Sequence, residues 1–469
     1  MNPLVDFPDT IVALSSGRLP AGVAVVRISG SNTRFVLETI VGKVPEPRRA
    51  TYATLRMRSG AKIDSGLLLF FPGPHSFTGE DCAEFQIHGG KAAVSVLLDT
   101  MTALPGVRHA EAGEFTRCAF LNGKLDLVET EALADLIAAE TEAQRRLAVL
   151  NAGGAQSQLY ANWRQRLIHA RAMIEAELDF ADESDVPGSV AAAVWTDVDK
   201  LLDEIGDHIR GYHRAEIIRD GYDVVIIGAP NVGKSSLLNA LARRDAAIVS
   251  DEPGTTRDLV ELSLDLHGIK VRLTDTAGIR ESAGKVEAIG IERAMRRAET
   301  ADLVLLLRDL SQEPGAKLPS HPIPNVIHIG TKCDLPGAET PRPAAGTAYP
   351  APESVALSKR EGRNEVGPPT FRVSSVTGEG IAELLDLLAS KAAEAAGSAG
   401  DVLPSRLRHV ELLRETQDHL RSALGGDGRG LELRADDLRQ AANRLGRISG
   451  AVDVEDLLDV IFSQFCIGK

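Results

Sequence analysis

Gly228-Ala229-Pro230-Asn231-Val232-Gly233-Lys234-Ser235 lies between two apolar stretches. Before it runs Tyr222-Asp223-Val224-Val225-Ile226-Ile227, β-branched and short, which reads as a buried strand. After it comes Ser236-Leu237-Leu238-Asn239-Ala240-Leu241, which reads as the start of a helix. Strand, glycine loop, then helix is the setting of a P-loop. The glycines let the backbone curl so that successive N–H groups face phosphate oxygens. Lys234 would reach the β- and γ-phosphates, and the Ser235 hydroxyl would ligate Mg²⁺.

The residues that follow select the base. Asp275-Thr276-Ala277-Gly278 ends a strand-like run. Asp275 there would hold Mg²⁺ through water, and the Gly278 N–H would meet the γ-phosphate. Gly254-Thr255-Thr256-Arg257-Asp258 lies where a switch loop belongs, with a threonine to complete the Mg²⁺ shell. Thr331-Lys332-Cys333-Asp334 follows another apolar run. Asp334 can accept from guanine N1 and N2, donors that adenine lacks. Ser374-Ser375-Val376 is placed to support the base through backbone N–H groups. Four motifs in this order predict a GTPase rather than an ATPase. The guanine loop usually reads Asn-Lys-x-Asp. With Thr331 in the Asn place, a weaker hold on base and loop is expected. The water-orienting Gln of many GTPases is replaced by Ile279. Glu287, just after the second switch, can orient water instead, and the Asn231 amide oxygen can ligate a monovalent cation.

Around this centre the 469-residue chain divides into regions. Residues 1–122 mix strands (Val23–Ile28, Leu67–Phe71, Phe85–His88) with a helix from Ala92 to Leu98, and predict an α+β domain. Arg27, Glu80, Glu84, His88 and Lys124 read there as isolated polar residues near turns. Residues 123–219 are helical, with Trp163, Leu167, Ala170 and Ile174 at helical spacing beyond a Gly153-Gly154 break. Residues 220–395 alternate strands and helices, the pattern of a parallel sheet covered on both faces. A Pro-, Gly- and Ala-rich stretch from about 335 to 370 reads as a mobile loop. Residues 396–469 are helical again and end on Cys466-Ile467-Gly468-Lys469. The nucleotide domain is therefore expected to be inserted into one discontinuous helical domain.

Hydrophobic residues make up 43% of the chain and charged ones 25%, with a net charge of −14. That balance excludes nucleic-acid binding by a broad basic field, so a local patch or a partner must supply positive charge. No apolar run approaches the roughly 18 residues of a membrane span. The N-terminus lacks signal-peptide features. Cys82, Cys118, Cys333 and Cys466 form no CxxC pair, which fits free thiols and a cytoplasmic protein.

These residues, with Phe77-Thr78-Gly79-Glu80-Asp81, Gly113-Glu114-Phe115-Thr116, Ala119 through Asp126 and the terminal Phe465-Cys466-Ile467-Gly468-Lys469, resemble the MnmE (TrmE) family of tRNA-modification GTPases. The resemblance covers nearly the whole chain except the insert from about 335 to 370. It implies a multidomain α/β and α+β protein: an N-terminal folate-binding-like domain that builds a homodimer, a discontinuous helical domain and an inserted Ras-like G domain. It implies nucleotide contacts over Asn231, Val232, Gly233, Lys234, Ser235 and Ser236, over Ser250, Asp251, Glu252, Pro253, Gly254, Thr255 and Thr256, and over Asp275, Thr276, Ala277 and Gly278. Thr331, Lys332, Cys333, Asp334, Ser374, Ser375 and Val376 complete that set. K⁺ falls on Asn231, Ser250, Glu252 and Thr255, and Mg²⁺ on Ser235 and Thr256. Glu287 matches the catalytic glutamate, alongside Lys234. A 5-formyl- or 5,10-methylene-tetrahydrofolate is implied at Arg27, Glu84, Lys124 and Lys469. Cys466 is either a nucleophile or an unreactive thiol beside that pocket. The implied partners are tRNA and an FAD-binding MnmG (GidA)-type protein, in a heterotetramer or larger complex. The competing reading is an RNA- or ribosome-associated GTPase switch without one-carbon chemistry.

Overall fold

The computed structural model describes residues 9–179, 189–244, 246–248, 261–275, 296–312, 325–336, 371–398, 400–425, 430–452, 458, 461–463, 465, 467 and 468. The chain forms two compact units. The first holds residues 1–138, 148–210 and 402–469; the second holds 139–147 and 211–401.

The first unit starts with a sheet of β1 (Thr10–Leu14), β2 (Ala21–Ser29), β3 (Thr51–Arg56), β4 (Lys62–Phe71), β5 (Cys82–Gly89) and β6 (Val107–His109). Their spatial order is β3-β4-β5-β2-β1-β6, antiparallel apart from the β1–β6 pair. One face buries Val26, Ile28, Leu68, Phe70, Phe85 and Ile87 against Val36, Leu37, Leu97 and Met101 of the helices Thr33–Val41 and Lys91–Thr102. The alternation along β2 and β5 places these residues on one side of the pleat. Each such side chain contributes about 1.5–3 kcal/mol by leaving water.

The rest of this unit is helical. Ala155–Asp179, Ser189–Arg210, Leu407–Leu424 and Leu431–Ser449 share one core. Trp163, Leu167, Ile174, Val198, Leu201 and Ile205 meet Leu413, Leu420, Leu438 and Leu445 there. Segments from before and after the insertion thus complete each other's apolar stripes, which makes the helical domain discontinuous. Gly154, at φ +81°, is the break between helices that its sequence suggested.

The chain's end returns to the N-terminal sheet. Ile461, Phe462 and Phe465 pack with Leu127, Leu458 and Phe120, and Ile467 bridges Ala112. The Ser15 hydroxyl donates to the Gly468 carbonyl at 2.6 Å. Gly468 sits at φ +98°, and a Cβ there would come 2.2 Å from the Leu14 carbonyl oxygen. Only glycine lets the tail lie this close to β1.

The second unit contains β7 (Tyr222–Gly228), β8 (Glu261–Leu266), β9 (Ile269–Asp275), β10 (Leu303–Asp309), β11 (Val326–Thr331) and β12 (Phe371–Val373), ordered β12-β11-β10-β7-β9-β8. The order is that of a Ras-like G domain. The sheet is not wholly parallel as the alternation suggested, because β8 runs antiparallel to β9 at the edge. Its sequence, Glu-Leu-Ser-Leu-Asp-Leu, alternates exposed and buried residues as a one-sided edge strand should. Among the described residues, no helix is long and apolar enough to cross a membrane.

Candidate nucleotide site and N-terminal pocket

The carboxyl ends of β7, β9, β10 and β11 bring Gly228, Asp275, Asp309 and Thr331 to one rim of the second sheet. Chain order reverses beside β7, and ligands of open α/β sheets bind at such a switch point. A Cβ on Gly228 would meet Val232 Cγ1 at 2.8 Å and the Leu307 carbonyl oxygen at 2.9 Å. Gly233, at φ +105°, caps the helix Lys234–Ala242, and Asn231 is left-handed at φ +62°. The loop therefore closes tightly over a helix N-terminus, whose free N–H groups and dipole favour an anion.

Lys234 is 6% exposed. Its Nζ donates to the carbonyls of Gly228 at 2.8 Å and Ala229 at 2.9 Å. Burial lowers its pKa, and the nearby Asp275 carboxylate partly offsets this. A cation held by carbonyl dipoles in a dry loop is poised to exchange them for phosphate oxygens. The Ser235 hydroxyl donates to Asp275 Oδ2 at 2.9 Å. That pair of hard oxygens on facing elements suits a divalent cation.

Thr331 overturns half of its expectation. Its Oγ1 donates to the Val232 carbonyl at 2.6 Å and contacts the Arg308 carbonyl at 3.1 Å. The tether between base loop and P-loop is thus made by the hydroxyl, although no amide is left for the base. Lys332, at φ +59°, pairs with Asp309 at 2.6 Å. Burial alone would raise the Asp309 pKa, but Lys332 and Ser311 override it and hold the carboxyl below its usual range. Asp334 is exposed, free to meet a base. Ser374 Oγ accepts from the N–H groups of Val376 at 3.2 Å and Thr377 at 3.1 Å, which shapes the last loop.

In the first unit, Arg27 and Glu84 are not isolated near turns as their sequence suggested. They are cross-strand partners on β2 and β5, 2.9 Å apart and half-buried. The Arg27 guanidinium lies 5.7 Å from the Phe77 ring centre and 5.8 Å from that of Phe115. Glu80 accepts from Ser29 at 2.8 Å, and His88 contacts Asp64 at 3.0 Å. Lys124 is exposed in the turn after the helix Glu114–Leu121, away from any ion pair among the described residues. A cavity of about 550 Å³ opens beside that helix, lined by Glu111, Ala112, Glu114, Arg117, Cys118, Leu121, Phe462 and Ser463. Burial pushes the Cys118 thiol up to about 12, which disfavours the thiolate form.

The family model for the GTP-binding protein TrmE N-terminus matches residues 10–124. The one for the MnmE helical domain matches residues 127–466. A tRNA modification GTPase MnmE from Mesorhizobium japonicum is 61% identical over 461 residues, covering 98% of this chain and 99% of the relative. Another, from Brucella anthropi, is 57% identical over 470 residues and covers both chains fully. The chain belongs to the MnmE family of tRNA modification GTPases.

The structure brings together the P-loop, Asp275, Thr331 to Asp334 and Ser374 to Val376 of the MnmE nucleotide set. The predicted residues in 249–260 and 276–295, Glu287 among them, lie outside the described residues, as do Cys466, Lys469 and most of the insert. Sequence reading missed Asp309. Its signal was a carboxylate two residues after the apolar run Leu303–Leu307, on the strand next to the P-loop strand. Thr331→Val keeps the shape of the tether and removes its hydroxyl. It leaves the Val232 carbonyl without that donor, at a cost of about 1–3 kcal/mol. GDP affinity measured by titration calorimetry is expected to fall roughly tenfold.

Proposed function

We propose that the chain is a K⁺-activated GTP hydrolase acting with an FAD-binding MnmG-type partner. Together they install a carboxymethylaminomethyl or aminomethyl group at C5 of wobble uridine 34 in tRNA, with a tetrahydrofolate derivative as one-carbon source. The observation that carries this reading is the buried Lys234 in its carbonyl cradle, beside the Ser235–Asp275 pair, in a chain 61% identical to a tRNA modification GTPase over 461 residues.

In this reading the loop N–H groups and Lys234 bind the phosphates. Ser235 and Thr256 hold Mg²⁺, with Asp275 acting through water. Asn231, Ser250, Glu252 and Thr255 would hold K⁺, which would supply positive charge to the phosphates. Glu287 orients the attacking water, since Ile279 cannot. Asp334 selects guanine. In the first unit, Arg27, Glu84, Lys124 and Lys469 hold the folate; the Arg27–Glu84 pair supplies polar groups suited to a pterin ring, and the partly exposed Phe77 an aromatic face. The seating of Gly468 against β1 supports a tail that serves this domain, and disfavours a bare GTPase switch that would need no such tail. The nucleotide state is read out by pairing of G domains within a homodimer.

Two measurements test the proposal. GTP turnover is expected to be much faster in K⁺ than in Na⁺, and Glu287→Ala is expected to abolish that rise while sparing GTP binding. Mass spectrometry of wobble uridines from cells lacking the gene is expected to show loss of the C5 substituent. Equal turnover in both salts, together with unaltered uridines, would end this reading.

A further inference from the structure

Residues 43–62 carry six basic side chains, Lys43, Arg48, Arg49, Arg56, Arg58 and Lys62, against the single acid Glu46. The whole chain has a net charge of −14. All six are exposed; Lys43 follows the helix Thr33–Val41, and the other five lie along or next to the outer edge of the N-terminal sheet, where β3 is the edge strand. Arg48 and Arg49 lead into β3 and Arg56 ends it. Arg58 and Lys62 flank the β3–β4 turn, closed by the Met57 N–H to the Ala61 carbonyl at 2.9 Å.

Their charge is poorly matched within the protein. Arg56 and Lys62 face each other directly across the β3–β4 ladder, and like charges so placed repel. Arg56 donates to the Gly60 carbonyl at 3.1 Å, not to an acid. Arg48 donates to the His75 carbonyl and lies over the Phe71 ring. Among the described residues, Lys43, Arg58 and Lys62 make no ion pair. Arg49, among the described residues, pairs only with Glu46, at 2.8 Å and exposed on both sides, so the pair is screened by salt and weak. Tyr52 stands in β3 between the two basic groups, 73% exposed.

The extended part of this rim, β3 from Thr51 to Arg56, spans about 17 Å, enough to follow two or three phosphates. Charged edges also keep strands from pairing with other sheets, but one or two lysines do that. Six cations, four of them arginine, suit the oxygens of a phosphate backbone, and an exposed tyrosine between them offers a base a stacking face. We propose that this rim is an RNA-backbone surface that binds the tRNA substrate; the inference rests on the function proposed above.

The test uses the full-length chain and a tRNA transcript with uridine at position 34. Binding is followed by fluorescence anisotropy at several salt concentrations. The triple variant Arg56→Glu, Arg58→Glu, Lys62→Glu is expected to bind more than tenfold more weakly, with a salt slope reduced by about 2–3. Tyr52→Ala is expected to weaken binding with the salt slope unchanged. Both should keep the wild-type melting temperature and K⁺-stimulated GTP turnover. If the wild type binds the transcript and the triple variant binds it equally, the surface is misassigned while the function stands. Unchanged tRNA binding with lost affinity for the flavoprotein partner would assign the rim to an acidic protein and overturn the RNA reading. No tRNA binding by the wild type at low salt would instead overturn the parent function.

Discussion

Lys234→Ala is expected to lower GTP turnover by about two to three orders of magnitude, the usual loss when one preorganised donor to developing charge is removed. The Lys234 ammonium lies inside the loop rather than in solvent. It is nearly dry, held by two loop carbonyls, and burial has already lowered its pKa. A desolvated cation of this kind is a cost to the fold. Its removal is therefore expected to leave the melting temperature of the nucleotide-free protein unchanged or slightly raised. Turnover and stability would move in opposite directions, which separates a phosphate-binding role from a structural one. Steady-state GTP hydrolysis beside differential scanning fluorimetry reads both. Turnover within tenfold of wild type would mean that the γ-phosphate is held elsewhere.

How much of this was legible in the chain varies with the physics of each element. The P-loop was readable because a phosphate cradle needs a fixed local sequence, and its strand and helix are coded by adjacent residues. The helical domain was readable from its 3.6-residue periodicity on both sides of the insertion. Three features were not. The Arg27–Glu84 pair depends on β2–β5 register, which pairs residues 57 apart and leaves no local trace. The tether from Thr331 depends on a hydroxyl meeting a carbonyl 99 residues away, so a substitution that looked like a loss keeps its bond. The antiparallel β8 did have a period-2 signal, but alternation alone says nothing of strand direction.

The second large effect is expected at Glu131, deep in the helical domain. Arg408 donates to both its carboxylate oxygens, at 2.7 and 2.8 Å, and His409 Nε2 lies 3.0 Å away. Burial would raise the carboxyl's pKa, but Arg408 and His409 reverse this and hold it far below the usual carboxylate range. The network continues. Gln156 Nε2 donates to the Tyr160 hydroxyl at 2.8 Å and to the Leu403 carbonyl at 3.0 Å, and the Tyr160 hydroxyl lies 3.0 Å from His208 Nε2. These residues come from the segments before and after the inserted unit, at the point where the chain leaves at Arg210 and returns at Val402. Glu131→Ala would strand the Arg408 cation in the core, at a cost of about 3–5 kcal/mol. Glu131→Leu with Arg408→Leu removes both charges and is expected to recover most of that loss. The pH dependence follows from the two rings. Burial holds His208 and His409 down to about 4, whereas the unfolded chain protonates them near 6.5. Between these values the unfolded state holds more protons, so stability is full above pH 6.5 and falls as the solution is acidified toward 4. Each unit of that difference is worth about 1.4 kcal/mol per ring. Urea unfolding from pH 7 to 4.5 is expected to show this decline, and His208→Gln to flatten it. A midpoint that stays level across the window would mean that both rings are charged in the fold, and that Glu131 serves as their counter-ion as well as that of Arg408.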